Sequence, residues 1–400
     1  MKEFSIREFG RIALSEISTP SLRCLRQLDA VRVGSKGDTV FDWSRANHLQ
    51  AKNYVGVVQV PGLRVEILPK IDTHVDSAAP LESNSDRVIA QSNLLYMLAL
   101  TKKIPVNERE LASLRLQRMS LLEALLRVFV ERLLTELRRG LEHAYIRREE
   151  NLSVVKGKLL LGEHVRRNIA RSGFLYVAYD DFISDTPLNR ILKAACRRLI
   201  RLTSVGRTKQ RLSEALLYLA GVSDVTIRPD HFQQVTLNRN AARFQELLEF
   251  CRIVLLDNAV APAAGSSPTF SLLFPMEVLF EEFIGRFVFR HAEEFGHLRS
   301  RIHIQARSRK KWLLRDAENR DRFGMKPDLV IDDDRGTVGL ILDTKWKRLK
   351  SDALDAKNGV PQSDIYQLYA YAHRYQSADN VLLFPRVDGV SPKRYRLAED

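Results

Sequence analysis

Asp328, Asp343 and Lys345 are the residues of this chain whose types and spacing best suit chemistry. They lie within Lys326–Lys350, KPDLVIDDDRGTVGLILDTKWKRLK. Leu329–Ile331 and Val338–Trp346 read as two strands joined by the acidic turn Asp332–Gly336. Side chains alternate faces along a strand, which puts Asp343 and Lys345 on one side and Thr344 on the other. If the strands pair, Asp328 at the start of the first approaches Asp343 near the end of the second. Two carboxylates and a lysine at one sheet edge can seat a hard divalent cation and an activated water. Phosphodiester hydrolysis needs such a set: charge stabilised on a crowded phosphorus, a nucleophilic water, and support for the leaving oxyanion. Asp328 and Asp343 would supply two metal ligands and the Thr344 backbone carbonyl another, while Lys345 would orient the water or help deprotonate it. Glu277 and Glu281, four apart on an expected helix over Met276–Glu294, share a face, and one of them could complete the site. As a bare pattern, Pro-Asp followed by Asp-x-Lys is weak, and a surface hairpin with solvated charges is the competing reading.

The elements that must position these residues fall into blocks. Residues 1–86 read as a β-rich N-terminal domain with its linker. The expected strands there are Ala30–Val33, Thr39–Trp43, Tyr54–Val60 and Leu63–Leu68, with Pro61-Gly62 turning the last pair into a hairpin. Asp72–Asp86 is polar and reads as a loop. Residues 87–258 read as a mainly helical middle domain. Apolar spacing there predicts helices over Val88–Leu100, Met119–Arg139 (ended by Gly140), Leu188–Arg201, Gln210–Leu219 and Arg239–Leu256. Asp185-Thr186-Pro187 opens the third of these, with Asp185 as a cap. Residues 259–271 are a linker by composition. Residues 272–400 then read helix, strand pair, a helix near Ser363–Arg374, and a strand at Val381–Phe384, an α/β order.

At 400 residues the chain can hold two or three domains. No apolar run approaches a membrane span, and MKEFSIREFG lacks the apolar core of a signal peptide. Cys24, Cys196 and Cys251 are scattered without metal-ligand spacing and fit a reducing cytoplasm. The net charge of +14 points to a polyanionic partner. Two acid-free basic runs, Asn189–Arg211 and Arg299–Arg315, offer Arg190, Lys193, Arg197, Arg198, Arg307, Arg309, Lys310 and Lys311 as phosphate contacts.

The order acidic helix, Pro-Asp strand, Asp-x-Lys strand, then a helix with Gln367 and Tyr371 one turn apart resembles the PD-(D/E)xK nuclease core. Gln-x-x-x-Tyr is an accessory motif in some of its branches. Over most of its length the chain further resembles McrC, the nuclease subunit of McrBC-type modification-dependent restriction systems. The matching segments are YVGVVQVPGLRVEILPKI (Tyr54–Ile71), GLEHAY, VVKGKL, DTPLNRILKAA, FSLLFPMEVLFEEFIGRFV, KPDLVI, ILDTKW and SDIYQLYAYA. The resemblance implies a multidomain α+β protein whose C-terminal α/β domain has the restriction-endonuclease-like fold. It implies that Asp328, Asp343 and Glu281 hold Mg²⁺, with Mn²⁺ as a substitute, and that Lys345 is the catalytic lysine. It also implies a hexameric AAA+ GTPase partner, modified double-stranded DNA as substrate, and two nuclease domains meeting to cut both strands. The family inserts a β-rich projection into its partner's channel, and Tyr54, Val60, Pro61 and Leu63 of the expected hairpin are the matching candidates. The chain has no Gly-rich loop ending in Gly-Lys-Ser/Thr, so nucleotide hydrolysis would reside on the partner. Two other readings compete: a non-catalytic adaptor that tethers the motor to DNA, and a stand-alone repair nuclease. The intact Asp328/Asp343/Lys345 set argues against the first and the long N-terminal portion against the second.

Overall fold

The computed structural model describes residues 1–36, 38–70, 84–106, 119–171, 173–256, 269–306, 308–349, 357, 359–387 and 390–396. The described chain falls into two compact units. One takes in Met1–Lys102 and Pro262–Asp400, the other Lys103–Val106 and Met119–Ala261. This corrects the expected blocks 1–86 and 272–400: the two ends of the chain form one unit. The reason is a strand exchange across the sequence, visible once the strands are laid out.

In chain order the first part carries β1 (Lys2–Arg7), β2 (Arg11–Ala13), α1 (Thr19–Lys36), β3 (Phe41–Asp42), β4 (His48–Ala51), β5 (Tyr54–Val60), β6 (Leu63–Leu68) and α2 (Asn84–Leu100). The second unit follows with α3 (Leu121–Arg138), β7 (Ala144–Leu152), β8 (Lys158–Leu159), α4 (Leu161–Asn168), β9 (Leu175–Ile183), α5 (Pro187–Leu199), α6 (Gly206–Tyr218), α7 (Pro229–Gln233) and α8 (Gln245–Leu256). The chain then returns to the first unit as β10 (Phe270–Pro275), α9 (Met276–Arg290), β11 (Ile302–Ile304), β12 (Lys311–Arg315), β13 (Asp321–Met325), β14 (Leu329–Asp332), β15 (Val338–Thr344), α10 (Gln362–Tyr375) and β16 (Asp379–Leu383). No helix among the described residues is long and apolar enough to cross a membrane.

β10 pairs antiparallel with β5, completing a four-stranded sheet in the order β1-β6-β5-β10. The expected linker 259–271 therefore ends inside a sheet; its residues 259–268 lie outside the described residues. Gly56 is required by this pairing. It adopts φ of 132°, and a Cβ there would stand 1.9 Å from the Leu272 carbonyl oxygen. Every residue of β5 and β6 is buried. The expected strand Ala30–Val33 is instead the middle of α1, since Leu25 and Leu28, at helix spacing, point into the core. α2 begins at Asn84, inside the stretch expected as a loop; residues 72–83 of that stretch lie outside the described residues.

The second unit is mainly helical, as expected, but also holds a three-stranded sheet, β7-β9-β8. In α3, Leu121, Leu122, Leu125, Phe129, Val130, Leu133, Leu134 and Leu137 are buried, and Gly140 follows the helix end with φ of 112°. α5 starts at Pro187, but its cap is Thr186, whose hydroxyl accepts from the Asn189 N–H at 3.3 Å. Asp185, expected as the cap, instead accepts a bidentate pair from Arg190.

Candidate functional site

The site is built on the sheet β11-β14-β15-β16, in which β14 and β15 are antiparallel and β16 runs parallel to β15. Alternation along these strands sorts the apolar residues into two layers. Leu329, Ile331 and Leu342 pack with Ile284 and Val288 of α9. Val330 and Ile341 pack with Tyr371 and Tyr375 of α10. By the same alternation Asp328 shares a face with Val330, and Asp343 and Lys345 share one with Ile341, so all three belong to the layer that α10 covers. The register Leu329↔Leu342, carried one residue further, sets Asp328 opposite Asp343.

Thr344 donates to Asp328 Oδ2 twice, from its backbone N–H and from its hydroxyl, both at 2.6 Å. Asp343 is 2% exposed, and the Lys345 ammonium stands 2.5 Å from its Oδ2. This buried oxygen therefore has the ammonium as its close charged partner. Lys345 Nζ also donates to Gln367 Oε1 at 2.9 Å, and Gln367 Nε2 donates to the Tyr371 hydroxyl at 2.8 Å. The two accessory residues named from sequence thus join the lysine in one chain of contacts.

Burial pushes the Asp343 carboxyl above its ordinary value; Lys345 opposes this and the charge of Asp328 adds to it. Burial acts on Lys345 in the opposite sense, pulling it down. The Asp343 contact, with Asp364 and Asp328 behind it, outweighs burial and holds the ammonium above the usual lysine range. Burial and the charge of Asp328 likewise raise Glu281, whose Oε1 accepts from Gln305 Nε2 at 2.9 Å. Among the described residues, no three His, Cys, Asp or Glu side chains are grouped to hold a metal ion. Asp328 and Asp343 face each other across the strand pair, and Glu281, on α9, is close enough for the charge of Asp328 to act on it. Sequence spacing did not point to Gln305 or to Asp364, which accepts from Lys347 Nζ at 3.0 and 2.8 Å. Both lie in stretches whose partners only the fold reveals.

Several expected contacts to phosphate are engaged elsewhere. Arg190 is held by Asp185, Lys193 is buried with Nζ 2.5 Å from the Val222 carbonyl oxygen, and Arg197 pairs with Asp224 at 2.7 Å. Arg198 is largely buried, and burial lowers its pKa. Of the four basic residues of α5, Lys193 is buried, whereas Arg197 remains exposed within its ion pair. Arg309 pairs with Asp332 at 2.5 Å, and Lys311 Nζ donates to the Arg374 carbonyl at 3.1 Å. Lys310 is exposed, 4.3 Å from the Trp312 ring centroid. Arg307 lies outside the described residues.

The docking candidates are corrected as well. Tyr54, Val60 and Leu63 are buried, and the Pro61 carbonyl accepts from the Ser21 hydroxyl at 2.7 Å. A hairpin flanked on both edges by β1 and β10 is core rather than projection. Exposed apolar side chains collect instead on β7 and β9, at Tyr145, Ile146 and Phe182, and on the β7–β8 connection, at Val154 and Val155.

The fold and site define a mixed α/β protein with a carboxylate and lysine centre at the edge of a helix-covered sheet. A family model described as McrBC 5-methylcytosine restriction system component matches residues 49–385, and the chain belongs to that family. The type IV methyl-directed restriction enzyme EcoKMcrBC of Escherichia coli (strain K12) is 23% identical over 269 residues, 65% of this chain and 75% of that protein. Two solved structures share the fold. A chain from the half-complex of the tetradecameric assembly of Thermococcus gammatolerans McrB AAA+ hexamers with bound McrC matches with a TM-score of 0.71 and 21% identity. That match covers 98% of this chain and 90% of that one. A chain from the T. gammatolerans McrBC complex matches with a TM-score of 0.58 and 22% identity, over 73% and 88% of the two chains.

Proposed function

We propose that this chain is the DNA-cleaving subunit of a McrBC-type restriction complex, with a PD-(D/E)xK centre at Asp328, Asp343 and Lys345. The observation that carries this reading is the convergence of Asp328, Asp343, Lys345, Gln367 and Tyr371 on one face of one sheet. The donor set fits a hard cation. The contacts of Asp328 both fall on Oδ2, and two carboxylates face each other across the strand pair with a single ammonium between them and α10. Mg²⁺ held by Asp328, Asp343 and the Thr344 carbonyl would supply Lewis-acid polarisation of the phosphate and a more acidic water. Lys345, protonated at neutral pH, offers an N–H and a positive charge to a phosphate oxygen or to the water. Asp343 and Gln367 set where that ammonium stands, and Tyr371 fixes Gln367. Glu281 is a further ligand once it leaves Gln305.

The partner in this reading is a AAA+ hexamer that engages the second unit through the apolar face of β7-β9-β8. His143, Tyr145 and Phe182 stack there in the open, with ring centroids 4.5 and 4.9 Å apart. Exposed duplex-facing charge at Lys310 and methylated duplex DNA as substrate complete the proposal.

The test measures cleavage of methylated DNA and the nucleotide hydrolysis rate of the motor, for wild type and Asp343→Ala, each with and without the motor. Cleavage should vanish in Asp343→Ala while stimulation of the motor persists. Undiminished cleavage by the variant would remove the active-site assignment, and absence of cleavage by the wild type would favour an adaptor.

A further inference from the structure

Trp346 follows Lys345 at the exit of β15 and is 5% exposed. Its indole Nε1 stands 3.1 and 3.0 Å from the two carboxylate oxygens of Glu8, 338 residues earlier in the chain, and donates to that group. Glu8 is 0% exposed. It is itself pinned to the end of β6: its backbone N–H donates to the Leu68 carbonyl at 2.9 Å, and its Oε2 accepts from the Lys70 N–H at 3.3 Å.

Two further contacts close around the same indole. Its ring lies 5.0 Å, centroid to centroid, from Phe280, the residue before Glu281 on α9. Lys70 Nζ donates to the Trp346 carbonyl at 3.4 Å. Trp346 is therefore held at its N–H, its face and its carbonyl, all by groups outside its own strand. The backbone N–H of Lys345 is meanwhile tied to the Leu383 carbonyl at 2.9 Å.

A fully buried carboxylate is an expensive way to fill space, and an apolar pair would do it at lower cost. What the carboxylate adds is direction: it fixes which way the indole, and so the chain leaving Lys345, must turn. We propose that Glu8 and Trp346 are positioning residues for Lys345. Through them the N-terminal sheet keeps the ammonium between Asp343 and Gln367. This inference rests on the nuclease reading above.

The test uses the full chain with its motor and a methylated duplex, following single-turnover cleavage, DNA affinity and Tm, with Asp343→Ala as the reference. Trp346→Phe keeps a ring against Phe280 and removes the donor. Cleavage should fall ten- to a hundredfold with Kd for DNA and motor stimulation unchanged. Glu8→Gln keeps an acceptor for the indole and should retain cleavage within threefold. The double variant Glu8→Leu, Trp346→Phe removes the indole donor and its acceptor together, which spares the cost of an unpaired indole N–H and leaves only the long Lys70 N–H contact unmade. It should regain Tm but not cleavage. Recovery of both Tm and rate in the double variant would show a merely structural role and overturn the inference. So would wild-type cleavage by Trp346→Phe while Asp343→Ala is inert. A wild type that does not cut, or an Asp343→Ala that does, overturns the nuclease reading and this inference with it.

Discussion

In the proposed nuclease, Lys345 would act as a hydrogen-bond donor and a charge. Asp343 at 2.5 Å holds it above the usual lysine range although burial pulls it down, so it stays an ammonium through neutral pH. An ammonium favours orienting a water over deprotonating it. Gln367→Ala leaves the ion pair but removes the acceptor that draws Nζ toward α10. Single-turnover cleavage should drop about tenfold, roughly 1.4 kcal/mol, with DNA affinity unchanged. Glu8 shows the opposite case. Burial pushes its carboxyl from 4.5 up to about 7, against the opposing effects of Lys70 and the Trp346 hydrogen bond. Below 4.5 both folded and unfolded chains hold this proton. Between 4.5 and about 7 only the folded chain does, so the contribution of Glu8 to stability is lost as pH rises through that window. The loss is roughly 3 kcal/mol. Tm of Glu8→Gln minus that of wild type should therefore grow from pH 5 to 7.5 and then level off. Residues of the first kind were legible in the sequence, because Asp343, Lys345, Gln367 and Tyr371 sit at strand and helix spacings that imply a shared face. Glu8 was not, since no local spacing links it to a partner 338 positions away. The ion pairs of α5 were illegible for the related reason that Asp185 and Asp224, the partners of Arg190 and Arg197, lie outside the acid-free run.

At the level of elements, β5 and β6 were read correctly as a hairpin and assigned the wrong place. Their near-continuous apolar run, YVGVVQV followed by LRVEIL, is the mark of strands covered on both faces rather than of an exposed projection. Gly56 tests the placement. Gly56→Ala drives a Cβ against the Leu272 carbonyl at a positive φ, and should cost on the order of 3 kcal/mol or more, read as a fall in Tm. Gly157, in VVKGKL, is held by the same logic: a Cβ would lie 2.4 Å from the Ala178 carbonyl oxygen, where β8 approaches β9. Ala30–Val33 shows a limit of local propensity, because the valines favour a strand while the leucines before them fix a helix. Helices with a strong apolar stripe, such as α3 and α5, were legible to within a few residues.

For the whole molecule, the linear division into an N-terminal domain and a nuclease domain dissolves, since β10 belongs to the sheet of β1, β6 and β5. α2 and α9 meet as well, with Tyr96 and Phe283 edge to face at 5.8 Å. No periodicity in either segment could announce this, because each strand looks complete by itself. One consequence concerns how the polypeptide behaves when severed. If residues 1–256 and 269–400 are produced as separate chains, the second begins with β10, whose partner strand among the described residues is β5. The two pieces should find each other and copurify as a nicked protein, whereas either piece alone should offer an open, apolar strand edge and precipitate.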